Sequence, residues 1–478
     1  MSEHTGGRHD GGAGHPGEAS DHGTVDRGIL DRDTTLKRAL RLPALTLFGL
    51  VYLVPLTVFT TYGLVTEQTG GRLATAYVVT LLAMAFTAFS YAAMVRAYPV
   101  SGSAYTYTSK AFGGHAGFLS GWALLLDYLF LPMLNYLVIG IYLNAQFPGV
   151  PIGVWALIAI ALVTVLNVVG ITTIANVNVA IIAAQAVFIV LFVALAVKTI
   201  AGQPVDLLAP FTGDGSVTGN GAVFAGAAVL ALSFLGFDAV STMAEEAENP
   251  RRDIPRAIVS VTVGGGILFI ILSWLSQAAY PATTFEVADS GSLDVMVKVG
   301  GQFLSTFFTA AYVAGAFGSA LTSQASVTRI MYTMGRDGVF PKVLGTLHPR
   351  FRTPVLAIAI VSVISLAAEL ISLATLASLV SFGALFAFSV VNLSVVKTYW
   401  VDRHERGGGA ALRYLVAPVV GFALILWLWT SLSSTALWTG LAWLAVGVVW
   451  LAVLTKGFRR RPPEVEFSEQ AEGAIPRH

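Results

Sequence analysis

Cysteine is absent from all 478 residues, which excludes disulfides, thiolate metal sites and a cysteine nucleophile. Charge is nearly as scarce. Only 12% of residues are Asp, Glu, Lys or Arg, against 55% hydrophobic and a mean hydropathy of +0.73, far from the usage of soluble globular chains. Histidine is missing from the middle of every long apolar run, and there is no His-Glu-x-x-His pair, Gly-x-Ser-x-Gly elbow or Gly-x-x-x-x-Gly-Lys-Ser/Thr loop. These absences remove the common metal and serine hydrolases and a phosphate-cradling ATPase. No large folded signalling domain fits in either tail, which argues against a nutrient sensor or receptor, and nothing in the pattern points to nucleic acid.

What remains is a succession of apolar runs long enough to cross ~30 Å of hydrocarbon at ~1.5 Å per residue. They predict an all-α membrane protein with spans at 43–66, 73–95, 117–145, 151–170, 176–200, 222–245, 255–279, 301–331, 354–371, 374–397, 411–432 and 435–455. A transmembrane domain over 41–456 is thus expected between a disordered cytoplasmic tail, 1–40, and a cytoplasmic C-terminal tail, 457–478. His4, His9, His15 and His22 belong to the first tail and read as solvated rather than metal-holding.

Twelve crossings put both tails on one side, and the basic residues say which. Cytoplasmic segments carry the excess of Lys and Arg. Six lie in the N-terminal tail, two at 96–110, three at 251–256, five at 329–352, four at 397–413 and five at the C-terminus, which is 25 of the 28. Only Arg72, Lys198 and Lys298 fall opposite. Both termini are therefore expected in the cytoplasm, with the spans in the cell (inner) membrane and the bilayer as a partner.

Two spans carry breakers near mid-length, and broken helices are where many secondary transporters bind substrate. Span one contains Gly49-Leu-Val-Tyr52-Leu-Val-Pro55; Pro55 lacks a donor and suits the first position of a new half-helix. Span six contains Ser233-Phe234-Leu-Gly236-Phe237-Asp238, a glycine followed by an acid within the hydrocarbon. First and sixth are corresponding members of two five-helix halves.

Three longer motifs carry a family resemblance. Phe237-Asp-Ala-Val-Ser-Thr-Met-Ala-Glu245 through Asn249-Pro250 to Pro255-Arg256 resembles the end of helix six in the amino acid–polyamine–organocation superfamily. Thr328-Arg329 through Tyr332, Gly335-Arg336-Asp337-Gly338 and Pro341-Lys342 is similar to its signature after helix eight. Arg96-Ala-Tyr98-Pro99, Gly102, Gly117 and Gly121-Trp122 resemble its second loop and helix three, and with Leu124-Leu-Leu-Asp127-Tyr-Leu-Phe-Leu-Pro132 the likeness is nearest the putrescine-importer-like branch. The resemblance implies a LeuT-type 5+5 inverted repeat plus two C-terminal helices, and a permease. In one respect the chain departs from many amino acid permeases of the superfamily. Their helix-one break is Gly-rich and receives a carboxylate, whereas Leu50-Val-Tyr52-Leu-Val-Pro55 is bulky, which favours an amine.

Asp127 lies about ten residues into span three, a costly depth for a carboxylate unless it faces a cavity or partner, and Tyr128 and Asn135 share a polar side of that helix. Tyr52, Pro55, Asp127, Tyr128, Asn135, Phe234, Gly236, Phe237 and Asp238 are the expected substrate contacts. Ser241, Thr242 and Glu245 continue from Asp238 as a stripe along span six. They are candidates for gating, or for static pairing at the headgroups. Span eight bears Ser305, Thr309, Tyr312, Ser319, Ser323 and Ser326 on one face, of which Tyr312, Ser319 and Ser323 are ion-coupling candidates. Such hydroxyls also commonly bond their own backbone. No cofactor or metal is expected, and the coupling ion, H+ or Na+, stays open. The expectation is secondary active import of a small cationic amine, polyamine or amino acid by alternating access. The alternatives are a neutral amino acid permease and an exchanger. Oligomeric state has no signature here.

Overall fold

The computed structural model describes residues 40–100, 103–170, 174–244, 246–336 and 338–462, the side chains of 174–179 excepted. Residues 1–39 and 463–478, which hold most of the two expected tails, and Glu245 lie outside the described residues. Eleven helices are long and apolar enough to span a membrane, and a shorter apolar helix completes the twelve. In chain order they are α1 Leu42–Phe59, α2 Leu73–Ala97, α3 Gly114–Gln146, α4 Ile152–Val169, α5 Ala180–Ala201, α6 Gly221–Met243, α7 Pro250–Ala279, α8 Ser292–Arg336, α9 Val355–Leu370, α10 Leu373–Asp402, α11 Leu412–Thr430 and α12 Ser434–Leu454. No strand occurs among the described residues; a lone bridge pairs Leu40 with Ala247.

Burial sorts the helices. The apolar windows of α3 and α6 are 89% buried, those of α5, α11 and α12 about a fifth or less, so the first two form the centre and the last three face lipid. The last helix docks through paired indoles: Trp122 donates to Trp443 O (2.9 Å), Trp443 donates back to Trp122 O (2.8 Å), and the rings stack at 4.9 Å. Gly447 is needed there, because a Cβ would lie 2.4 Å from the Trp122 ring.

The first helix of each five-helix half is interrupted. In α1, the α-helical turns of Leu42–Leu53 stop at Val54, whose φ of 49° and ψ of 94° are non-helical, and Pro55 opens a tight turn of 3-10 helix. A β-branched residue at positive φ is strained. In α6, the chain turns out of helix at Leu235 (ψ 132°) and Gly236 (φ 123°) before Asp238 starts another short turn. Four crossings, α2 to α5, lie between the two, so they run in opposite directions.

Several spans differ from their expected limits. α8 begins nine residues early, at Ser292, and is kinked at Gly301 (φ 65°), the residue where apolar patterning begins. Between α2 and α3, where a plain loop is expected, Ser103–Phe112 forms a helix with Tyr107 and Thr108 fully buried. Tyr107 meets Tyr91 edge-on at 5.8 Å.

Candidate functional site

The two breaks touch. A Cβ on Gly236 would lie 2.8 Å from Leu53 N, 2.9 Å from the Tyr52 ring and 3.1 Å from Tyr52 C, so only glycine lets the α6 turn rest on the α1 turn. The carbonyls freed in α1 are not left bare: the Thr57 hydroxyl donates to Leu53 O (3.0 Å) and Val54 O (2.6 Å). In α6, Asp238 Oδ1 accepts from Gly236 N–H at 3.1 Å, holding the turn closed from within.

Beside the breaks lies a cavity of about 30 Å³, walled by α1, α3, α6 and α8. Its polar groups are Tyr52, Thr57, Thr60, Asn135, Tyr312 and Ser319; leucines from α1, α3 and α6 supply most of the rest. That volume holds a water or two and no larger solute. Asn135 crosses from α3 to α8 through Nδ2 to Ser319 Oγ (3.0 Å). Thr60 and Tyr312 share a short hydrogen bond. Beyond them, away from the start of α1, Tyr312 stacks on Phe308 at 5.3 Å and Phe308 meets Phe59 edge-on at 5.3 Å. The Tyr142 hydroxyl donates to Phe59 O (2.8 Å) and lies 2.7 Å from Ser292 Oγ, so the side away from the start of α1 is plugged.

Asp127 and Asp238 do not line this cavity. Both are buried and share one neighbourhood with the phenols of Tyr52 and Tyr128. Tyr52 is thus a wall shared by the cavity and the acid pair. Among the described residues, Asp127 Oδ1 has no hydrogen-bond partner. A buried carboxyl oxygen without a donor is costly and is relieved by a proton on the acid or by a cation beside it.

The remaining sequence candidates sit elsewhere around this centre. Phe237 packs on Tyr91 (5.5 Å) and Phe388 (5.1 Å). Phe234 turns to Phe269 of α7 at 5.5 Å, away from the cavity. The hydroxyls of Ser241 and Ser323 bond the backbone of their own helices, at Asp238 O and Ser319 O, and Thr242 donates to Ala239 O. Pro55 is buried as the first residue of its turn. Sequence reasoning overlooked Thr57 and Thr60, whose signal was their place just beyond Pro55. It also overlooked Gln185 of α5, which is buried with its Oε1 unpartnered among the described residues and reaches toward Gly315 of α8, beside Val54.

On the side where α1 begins, a clasp closes the bundle. Leu40 N donates to Glu246 O and Glu248 N to Leu40 O, each at 3.0 Å, and Arg41 Nε lies 2.9 and 3.0 Å from the two Glu248 carboxylate oxygens. The centre is closed toward both faces.

A multi-pass bundle with two antiparallel broken helices meeting at a polar, closed centre is the architecture of a secondary transporter. The family model described as amino acid permease matches residues 45–455. The chain is 37% identical over 439 residues to the low-affinity putrescine importer PlaP of Escherichia coli K12, covering 90% of this chain and 96% of that one. It is 29% identical to the branched-chain amino acid permease BcaP of Bacillus subtilis (87% and 93% covered) and 27% identical to the methylthioribose transporter of the same organism (89% and 93%). The chain belongs to the amino acid permease family, within the amino acid–polyamine–organocation superfamily, and is a transporter rather than an enzyme.

Proposed function

We propose that this permease imports a small cationic amine of the putrescine type across the cell (inner) membrane, with both tails cytoplasmic and the clasp at Arg41 on the cytoplasmic side. The observation that carries the reading is the unpartnered Asp127 oxygen beside Asp238, behind the Tyr52 wall. An ammonium stripped of water needs a carboxylate or an aromatic face in exchange, and Asp127 and the Tyr52 ring are one of each. The likeness to a putrescine importer over nearly the whole chain supports the same class. The 25-of-28 bias of basic residues supports the orientation.

In this mechanism the outer plug of Phe59, Phe308 and Tyr312 opens first. The amine enters between the two breaks, the plug closes, and the Arg41–Glu248 clasp then parts to release it. The driving ion is a proton. The acid pair gives a proton and an ammonium competing seats, since the Asp127 oxygen without a partner can take either.

A second reading, a neutral amino acid permease, is favoured by the leucine-rich cavity wall and by the likeness to BcaP. Thermal shift of the purified protein with putrescine and with isoleucine separates the two, since a ligand bound by the fold raises its apparent stability. Stabilisation by isoleucine alone would sink the amine reading. Proteoliposome uptake driven by a sodium gradient but not by a pH gradient would sink proton coupling.

A further inference from the structure

A second, larger cavity shares no lining residue with the first and lies where the end of α2 and the starts of α7 and α11 share one membrane face. It encloses about 510 Å³ and is lined by Arg96 of α2, Arg256 of α7 and Arg413 of α11, with no acidic side chain in its wall. None of the three guanidinium groups forms an ion pair with a described residue. Ser90, also in the wall, is buried with its hydroxyl unpartnered among the described residues.

The polarity of the cavity is graded. Phe89 lies seven residues before Arg96 on α2, about 10 Å deeper in the bilayer, and is 55% exposed; Val259 continues the apolar wall from α7. The arginines sit at headgroup depth and the aromatic and aliphatic wall at acyl-chain depth. The arginine end is also braced. Tyr399 donates to Ala93 O at 2.9 Å and stacks on Tyr414 at 4.2 Å, and Arg413 lies over the Tyr414 ring.

We propose that this groove holds an anionic phospholipid of the same leaflet, its phosphate among Arg96, Arg256 and Arg413 and one acyl chain along Phe89 and Val259. Three like charges converging without a counter-ion attract a phosphate, and the graded wall selects a lipid over a soluble anion. The bound lipid ties α11, outside the ten-helix repeat, to α2 and α7.

The test is native mass spectrometry of protein exchanged into mixed micelles of phosphatidylglycerol and phosphatidylcholine, with inorganic phosphate added in a separate arm. The parent should retain phosphatidylglycerol over phosphatidylcholine. The triple variant Arg96→Gln, Arg256→Gln, Arg413→Gln should lose that retention by tenfold or more, at about fivefold per arginine near an anionic surface. Val259→Trp, which fills the apolar half without altering charge, should lose it too. Arg459→Gln with Arg460→Gln and Arg461→Gln, removing as much charge elsewhere, should not. Equal retention of the two lipids by the parent overturns the proposal, as does undiminished retention by the triple variant. Displacement of the lipid by inorganic phosphate, with Val259→Trp unaffected, means a soluble-anion site and overturns it equally. If the triple variant is not monodisperse, the Val259→Trp arm decides.

Discussion

Gly236→Ala places one methyl group between the two breaks. At φ 123° an L-residue is held in strained backbone, at a cost of ~1–3 kcal/mol. The new Cβ also meets Leu53 N at 2.8 Å and Tyr52 C at 3.1 Å. Those atoms are backbone and cannot swing aside, so the overpacking adds ~1–3 kcal/mol. The total, ~2–6 kcal/mol, falls on the contact between α1 and α6 rather than on the bundle. At ~1.4 kcal/mol per tenfold, the closed geometry becomes at least roughly thirty-fold less populated. Uptake of radiolabelled putrescine into proteoliposomes should drop by that factor or more, while detergent chromatography still shows a folded monodisperse protein. Gly264→Ala is the matched control, since nothing lies within 4 Å of the added methyl and α7 is ordinary helix there. Uptake by Gly236→Ala within about twofold of the parent would refute the claim that the breaks must touch.

Asp127→Asn keeps size while deleting charge, and should weaken putrescine binding at least roughly thirty-fold, the ~2–5 kcal/mol typical of removing one partner of a buried charge pair; binding within threefold of the parent means Asp127 is structural. Asn135→Ala removes the link to Ser319 and leaves that hydroxyl unpaired, a loss of ~1–3 kcal/mol that should appear as a lower melting temperature restored in part by Asn135→Ser. Glu248→Gln should speed labelling of a cysteine placed at Thr57 from the cytoplasmic side by about threefold, with the difference vanishing in high salt. Thr346→Cys, on the exposed stretch after α8, should react with an impermeant reagent in inside-out but not right-side-out vesicles; the reverse pattern inverts the topology.

Most of the architecture was legible because a membrane imposes a minimum apolar length, and patterning locates that length without further information. Both breaks were visible too, since Pro55 and Gly236 each violate what an uninterrupted helix tolerates. What escaped detection lacked a one-dimensional signal. The helix Ser103–Phe112 is short and half polar, so its buried face emerges only when Tyr107 finds Tyr91 on another helix. Gln185 stands in an unbroken apolar run, and its closeness to Gly315 depends on how α5 and α8 cross. The stripe from Asp238 through Ser241 and Thr242 was expected to line one face, but its hydroxyls turn back onto their own backbone, a choice no spacing reveals. The acids were recognised as unusual, yet patterning did not show that Tyr52 stands between them and the cavity.

The clasp before α1 is built from materials poorly suited to permanence. Arg41 is largely in water, with 76% of its side chain exposed, and exposed ion pairs are screened by salt and contribute little; the two backbone hydrogen bonds of Leu40, one donated by its N–H and one accepted by its carbonyl, do most of the holding. It joins the residue that precedes one broken helix to the segment that follows the other. A door held at its rim by bonds that water replaces readily needs no dedicated opener. In the proposed transport cycle, ordinary thermal motion tries it continually, and cargo changes only how often it stays open.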